Sequence, residues 1–113
     1  MRKKENHPVT TDQLSNPTVK AAIEALQNDD PKAWLALFEP DAKLYGDSSP
    51  RDLSKFTEDA FGHERFTSID RVENDGLDLF GEFHSHQWGD FRTYFKFQVS
   101  AGEKIKRLDI GQA

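Results

Sequence analysis

The chain has no cysteine, which excludes disulfide bridges, thiolate metal sites and a cysteine nucleophile. Long apolar runs are absent as well: nothing approaches a signal-peptide core or a membrane span, so a soluble, cytoplasmic protein with no membrane partner is expected. Positive charge is scarce, with 15 Lys and Arg against 20 Asp and Glu for a formal net charge of -5. Nucleic-acid binding rests on a clustered basic face, and the only basic run, Arg2-Lys3-Lys4, reads as a short solvated tail; no nucleic-acid partner is expected. Gly46, Gly62 and Gly81 are isolated rather than grouped in a phosphate loop, so nucleotide binding has no support and no cofactor is expected. Ser48, Ser49 and Ser85 lack the context of a nucleophile elbow, which argues against serine hydrolase chemistry.

At 113 residues the chain suits one domain with a single core. Residues 1–15 offer little beyond Val9 and Leu14 to bury, too little to offset the entropy of ordering them, and are expected to form a flexible N-terminal tail. Residues 16–113 form the domain. Asn16 followed by Pro17 is a helix start, with Val19, Ala22, Ile23 and Leu26 on one stripe. Asp29-Asp30-Pro31 repeats that signal, with Ala33, Trp34, Leu37 and Phe38 as a second stripe that Pro40 ends. Positions 42–45 read as a brief strand, and Ser49-Pro50-Arg51-Asp52 as the opening of a third helix whose buried side is Leu53, Phe56, Ala60 and Phe61, closed by Gly62.

After this the chain changes character. Short glycine-bearing turns at Asn74-Asp75-Gly76, Trp88-Gly89-Asp90 and Ser100-Ala101-Gly102 separate long alternating segments, so residues 64–112 read as one antiparallel sheet with a face buried under the helices. Two-residue turns at Asp75-Gly76 and Gly89-Asp90 would set Thr67 beside His84 and Arg65 beside His86, and would put both histidines on a face with Thr93 and Phe95. The third turn would align Phe95 with Leu108 and Thr93 with Ile110. That register makes an inner face of Ile69, Phe80, Glu82, His84, His86, Trp88, Phe91, Thr93, Phe95, Phe97, Leu108, Ile110 and Gln112. The outer face would carry Phe66, Leu79, Phe83, Arg92, Tyr94, Lys96, Gln98, Arg107 and Asp109.

The order helix, helix, short strand, helix, long curved sheet resembles the nuclear transport factor 2 (NTF2)-like superfamily, which includes ketosteroid isomerases and SnoaL-type polyketide cyclases. The likeness spans residues 17–113, and its most recognisable pieces are Asp30-Pro31-Lys32-Ala33-Trp34-Leu35-Ala36-Leu37-Phe38 with Asp41-Ala42, and Lys104-Ile105-Lys106-Arg107-Leu108-Asp109-Ile110. The resemblance implies an α+β NTF2-like cone, three N-terminal helices packed on a strongly curved, mainly antiparallel sheet. It also implies a homodimer through the outer sheet face and an interior for a small apolar or semi-polar molecule. Such a fold hosts many activities. The isomerase machinery carries over poorly: its base would fall at Gly46, with Asp47 one position later, its tyrosine donor at Ala22 and its protonated acid at Phe95.

On this register the interior holds two histidines spaced to point the same way, with Asp47 arriving from the strand-to-helix loop. Asp47 and His86 are therefore the candidate catalytic acid–base pair of an isomerase- or cyclase-type enzyme, because a carboxylate can orient an imidazole that exchanges protons near neutral pH. Trp34, Tyr45, Phe56, Glu82, His84, Trp88, Thr93, Phe95, Leu108 and Gln112 are the candidate ligand-binding residues. His84-x-His86 with Glu82 has the alternation of a metal site but lacks an assured third ligand, so no metal is assigned. The alternative is a non-catalytic ligand-binding or dimerisation module.

Overall fold

The computed structural model describes residues 14–113, so the expectation for the tail lies outside the described residues except at its end, where Leu14 is already buried in the core. Helix α1 (Pro17–Gln27) starts where the cap signal places it: the Asn16 side chain accepts from the backbone N–H groups of Thr18 and Val19, at 3.0 and 3.1 Å. Val19, Ala22, Ile23 and Leu26 form its buried stripe. Helix α2 (Pro31–Ala36) is capped by Asp30, which accepts from Ala33 N–H at 3.1 Å. Among the described residues, no helix is long and apolar enough to cross a membrane.

Two expectations need correction here. Leu37 and Phe38 do not continue α2, because strand β1 (Phe38–Gly46) begins at Phe38. Pro40 is tolerated there since it falls in the irregular stretch of β1 between Phe38 and Lys43, where its missing N–H breaks no ladder bond. Nor do Ser49, Pro50 and Arg51 open a helix. Asp47 and Ser48 both have left-handed φ, 49° and 72°, as a type I′ connection requires, and they fold β2 (Ser49–Arg51) back onto β1. Only then does Asp52 cap α3 (Leu53–Ala60), accepting from Lys55 N–H at 3.1 Å.

Strands β3 (Glu64–Glu73), β4 (Asp78–Ser85), β5 (Gly89–Val99) and β6 (Ile105–Gln112) complete a six-stranded sheet in the order β2-β1-β6-β5-β4-β3. The β1–β6 pairing is parallel and the rest antiparallel. β3 slips twice against β4, between Phe66 and Ser68 and between Ile69 and Arg71, so Arg65 faces His84 and not His86. Such irregularities bend a strand and tighten its twist, which curves the sheet over the helices. Gly81 lies opposite Ile69 within this slipped stretch, where a Cβ would collide with the carbonyl oxygen of Ser68.

The largest departure from the expected register is in the β4–β5 hairpin. Ser85 pairs with Gly89, leaving residues 86–88 as the connection in place of a two-residue turn at Gly89-Asp90. The displacement is an odd number of residues, and with a side-chain period of two that turns all of β4 over relative to β5. Leu79, Gly81, Phe83 and Ser85 therefore share the inner face with Thr93, Phe95 and Phe97, while Phe80, Glu82 and His84 face out. Phe66, Leu79 and Phe83, expected outside, are core residues. In β5–β6 the face assignment holds but partners move by two, to Phe95 with Ile110 and Phe97 with Leu108.

The core follows from this. Trp34 is completely buried, with ring centroids 5.0 to 6.3 Å from Phe38, Phe56 and Phe61, and its indole N–H donates to Thr57 Oγ1 at 3.1 Å. Phe66, Phe83, Phe95 and Phe97 continue the aromatic layer across the sheet. This layer stops short of the wide end of the cone, where a hollow remains.

Candidate functional site

The hollow is a cavity of about 760 Å³ between α3, the β1–β2 turn and the inner face of the sheet. Its apolar wall consists of Phe56 and Ala60 from α3 with Phe83, Phe91, Phe95 and Ile110 from the strands. Asp47, Arg51, Asp59, Glu64, Gln87, Asp90, Thr93 and Gln112 supply its polar lining, and Trp88, 71% exposed, stands at the rim. A volume of this size, with a phenyl-bearing wall facing a polar one, suits a small molecule that is itself partly apolar and partly polar.

Glu64 is a lining residue whose carboxyl is shifted by its surroundings. It opens β3 just after the α3 corner, two positions before the buried Phe66, so the alternation of the strand carries it inward. Burial pushes its carboxyl above the ordinary value of 4.5, and Asp59 adds to the rise, while the hydrogen bond from Ser85 and the charges of Arg51 and His63 pull it partly back. Ser85 Oγ lies 3.1 Å from Glu64 Oε2. Perturbation of this kind inside a cavity is a mark of functional sites.

The remaining polar groups are mostly committed to the frame. Thr93 donates its hydroxyl to Gly111 O at 2.7 Å, leaving it able only to accept from a bound molecule. Asp47 N–H donates to Ile110 O at 2.8 Å and its Oδ1 accepts from Gln112 N–H at 3.3 Å, which ties the β1–β2 turn to the end of β6. The Arg51 guanidinium lies 5.2 Å from the Phe56 ring centroid. Asp59 pairs with Lys55 at 3.4 Å, and Asp90 with His84 Nδ1 at 2.6 Å.

Of the residues named from sequence, Asp47, Phe56, Trp88, Thr93, Phe95 and Gln112 line the cavity. The expected pairing of Asp47 with His86 is not assembled: the turned-over β4 leaves His86 outside the lining, with its ring 5.5 Å from His63 and 5.6 Å from His84. Glu82 is held by Arg92 on the outer face at 3.1 Å, and His84 by Asp90. Trp34 and Leu108 are fully buried packing residues, and Tyr45 sits under the Arg107 guanidinium, 4.1 Å away. Among the described residues no group of three or more His, Asp or Glu side chains is placed to hold a metal ion. At the isomerase positions, Ala22 and Phe95 are buried and can donate no hydrogen bond.

Sequence reasoning missed Glu64, Ser85 and Arg51. A signal for the first two exists in the chain itself: Leu79, Gly81, Phe83 and Ser85 are a better inward set than Phe80, Glu82 and His84 by polarity alone, and inward Phe66 brings Glu64 with it.

No protein-family model matches the chain, and no curated protein matches it by sequence. Solved structures do. An NTF2-like protein of unknown function from Cytophaga hutchinsonii superimposes with a TM-score of 0.70 at 14% identity, covering 96% of this chain and 95% of that one. A candidate polyketide cyclase from Xanthomonas campestris gives 0.66 at 17%, covering 92% and 93%. The Anabaena Orange Carotenoid Protein, solved binding canthaxanthin, gives 0.72 at 18%, where the match covers 92% of this chain but 38% of that larger one. The chain has the α+β NTF2-like fold, and neighbours of this kind define it as such.

Proposed function

We propose that the domain binds a small, partly apolar molecule in the cavity and that Glu64, with Asp47 nearby in the lining, is its proton-handling group in isomerase- or cyclase-type chemistry. The observation that carries this reading is a half-buried carboxyl, raised by burial, in the lining of a hollow large enough for a substrate whose wall also carries Phe56, Phe83, Phe91 and Phe95. The lining has four carboxylate residues against one arginine, which favours a neutral or cationic ligand over an anion. The Anabaena protein, 38% of which matches this fold, was solved binding canthaxanthin, which is in keeping with an apolar ligand for a domain of this kind.

The test uses 4-phenylbutan-1-ol, 4-phenylbutylamine and 4-phenylbutyrate, three probes with one apolar body, titrated against tryptophan fluorescence. The alcohol and the amine should bind and the carboxylate bind worst; no response to any of them discards the cavity reading. For catalysis, deuterium exchange into 4-phenylbutan-2-one should fall ~10²-fold or more in Glu64→Gln, the usual scale of a general acid–base contribution. Binding without exchange would leave a non-catalytic carrier.

We also propose a homodimer through the outer sheet face, in the cytoplasm. On that face the rings of Tyr45, Phe80 and Tyr94 are half-buried under Arg107, Arg71 and Lys96, and Asp70 and Glu82 share Arg92 as a partner, so pairing two copies would bury few unpartnered charges.

A further inference from the structure

Ser85 is 1% exposed, and its hydroxyl is the centre of three hydrogen bonds. Its oxygen lies 3.2 Å from the backbone N of Gln87, 3.2 Å from the backbone N of Trp88 and 3.1 Å from Glu64 Oε2. A serine hydroxyl has one hydrogen and two lone pairs. Both backbone N–H groups can only donate, so they take the two lone pairs, and the single hydrogen is left for Glu64. The valence of this group is complete, and its direction is determined without reference to any observed hydrogen.

We propose that Ser85 is the positioning residue of the cavity: it assigns Glu64 Oε2 the role of acceptor, so that the exchangeable proton of Glu64 resides on Oε1, and it binds the 86–88 rim loop to the same carboxyl. The inference rests on the reading of Glu64 as the proton-handling group. Oε2 is already engaged by a donor, and a carbonyl oxygen accepts a hydrogen bond better than a carboxylic hydroxyl oxygen does, so a proton on Oε1 keeps the Ser85 bond at its strongest and a proton on Oε2 weakens it. The geometry thus couples two things that are distant in sequence, the protonation of Glu64 at the start of β3 and the seating of Gln87 and Trp88 between β4 and β5. A mark of the same design is that the rim carries the exposed Trp88 on a loop anchored by this one side chain in addition to the His86 N–H bond to His63 O at 3.0 Å.

The experiment is an NMR titration of the unmodified protein and of Ser85→Ala, following the Glu64 carboxyl carbon and the amides of Gln87 and Trp88. In the unmodified protein the two amide signals should titrate with the same midpoint as the Glu64 carboxyl. In Ser85→Ala the Glu64 midpoint should move up, because a donor to the carboxylate is gone, and the two amides should lose protection from exchange. Ser85→Thr, which keeps the hydroxyl, should restore the midpoint. Loss of amide protection with an unmoved Glu64 midpoint would make Ser85 a loop anchor only and overturn the proposal. Should Ser85→Ala fail to fold, the titration of the unmodified protein decides alone: amides indifferent to Glu64 overturn it. Because no ligand is used, failure of the three probes to bind leaves this outcome readable, and the reverse also holds.

Discussion

Single residues here act through the few atoms they are allowed to satisfy. Thr57 is 3% exposed and its hydroxyl is used twice, accepting the Trp34 indole N–H at 3.1 Å while donating its own hydrogen to Leu53 O at 2.8 Å. Thr57→Val keeps the shape and strands the indole donor in the core, so chemical denaturation should show a loss of about 1–3 kcal/mol. Gly81 is constrained by space instead. A methyl there drives into the Ser68 carbonyl, which is backbone and cannot rotate away, and Gly81→Ala should cost about 3 kcal/mol or prevent folding. Asn16 and Asp30 were legible at this scale because a cap followed by proline is a local event. Glu64 was not, since its character comes from what covers it.

Elements carry the next lesson, and the β4–β5 hairpin carries most of it. Gly89 has φ of 79° with nothing within 4 Å of a built Cβ, so its only role is backbone conformation. Gly89→Ala should destabilise by about 1 kcal/mol with no steric component, and urea melts should show an unchanged slope. Reading that glycine as part of a two-residue turn was the step that misplaced His84 and His86. The connection is residues 86–88, within which Ser85 Oγ accepts from the Gln87 and Trp88 N–H groups while donating to Glu64 from another strand. A local glycine signal could not reveal that.

At the scale of the molecule, the buried carboxyl makes stability depend on pH. The folded value for Glu64 lies above its ordinary 4.5, so its contribution is fully present below about pH 4.5 and is lost as pH rises through the folded value, where the charge must be held half-buried. Glu64→Gln should therefore have a thermal midpoint that falls less steeply than that of the unmodified protein as pH rises above about 4.5, whatever the cavity binds. For the assembly, light scattering over a range of concentrations should give twice the monomer mass, and Tyr94→Asp on the outer face should return the monomer. A monomer at every concentration would remove the dimer and leave the cavity untouched.

The chain alone determined its first two helix starts, the long strands and the α+β architecture, because caps, prolines and alternating apolar residues act over a few neighbours. Tertiary structure decided which side of β4 faces inward, and with it the identity of the site. The deciding contacts join Glu64 to Ser85 and slide β5 along β4. One odd step in that pairing exchanges imidazoles for phenyl rings and leaves a carboxyl where histidines were expected.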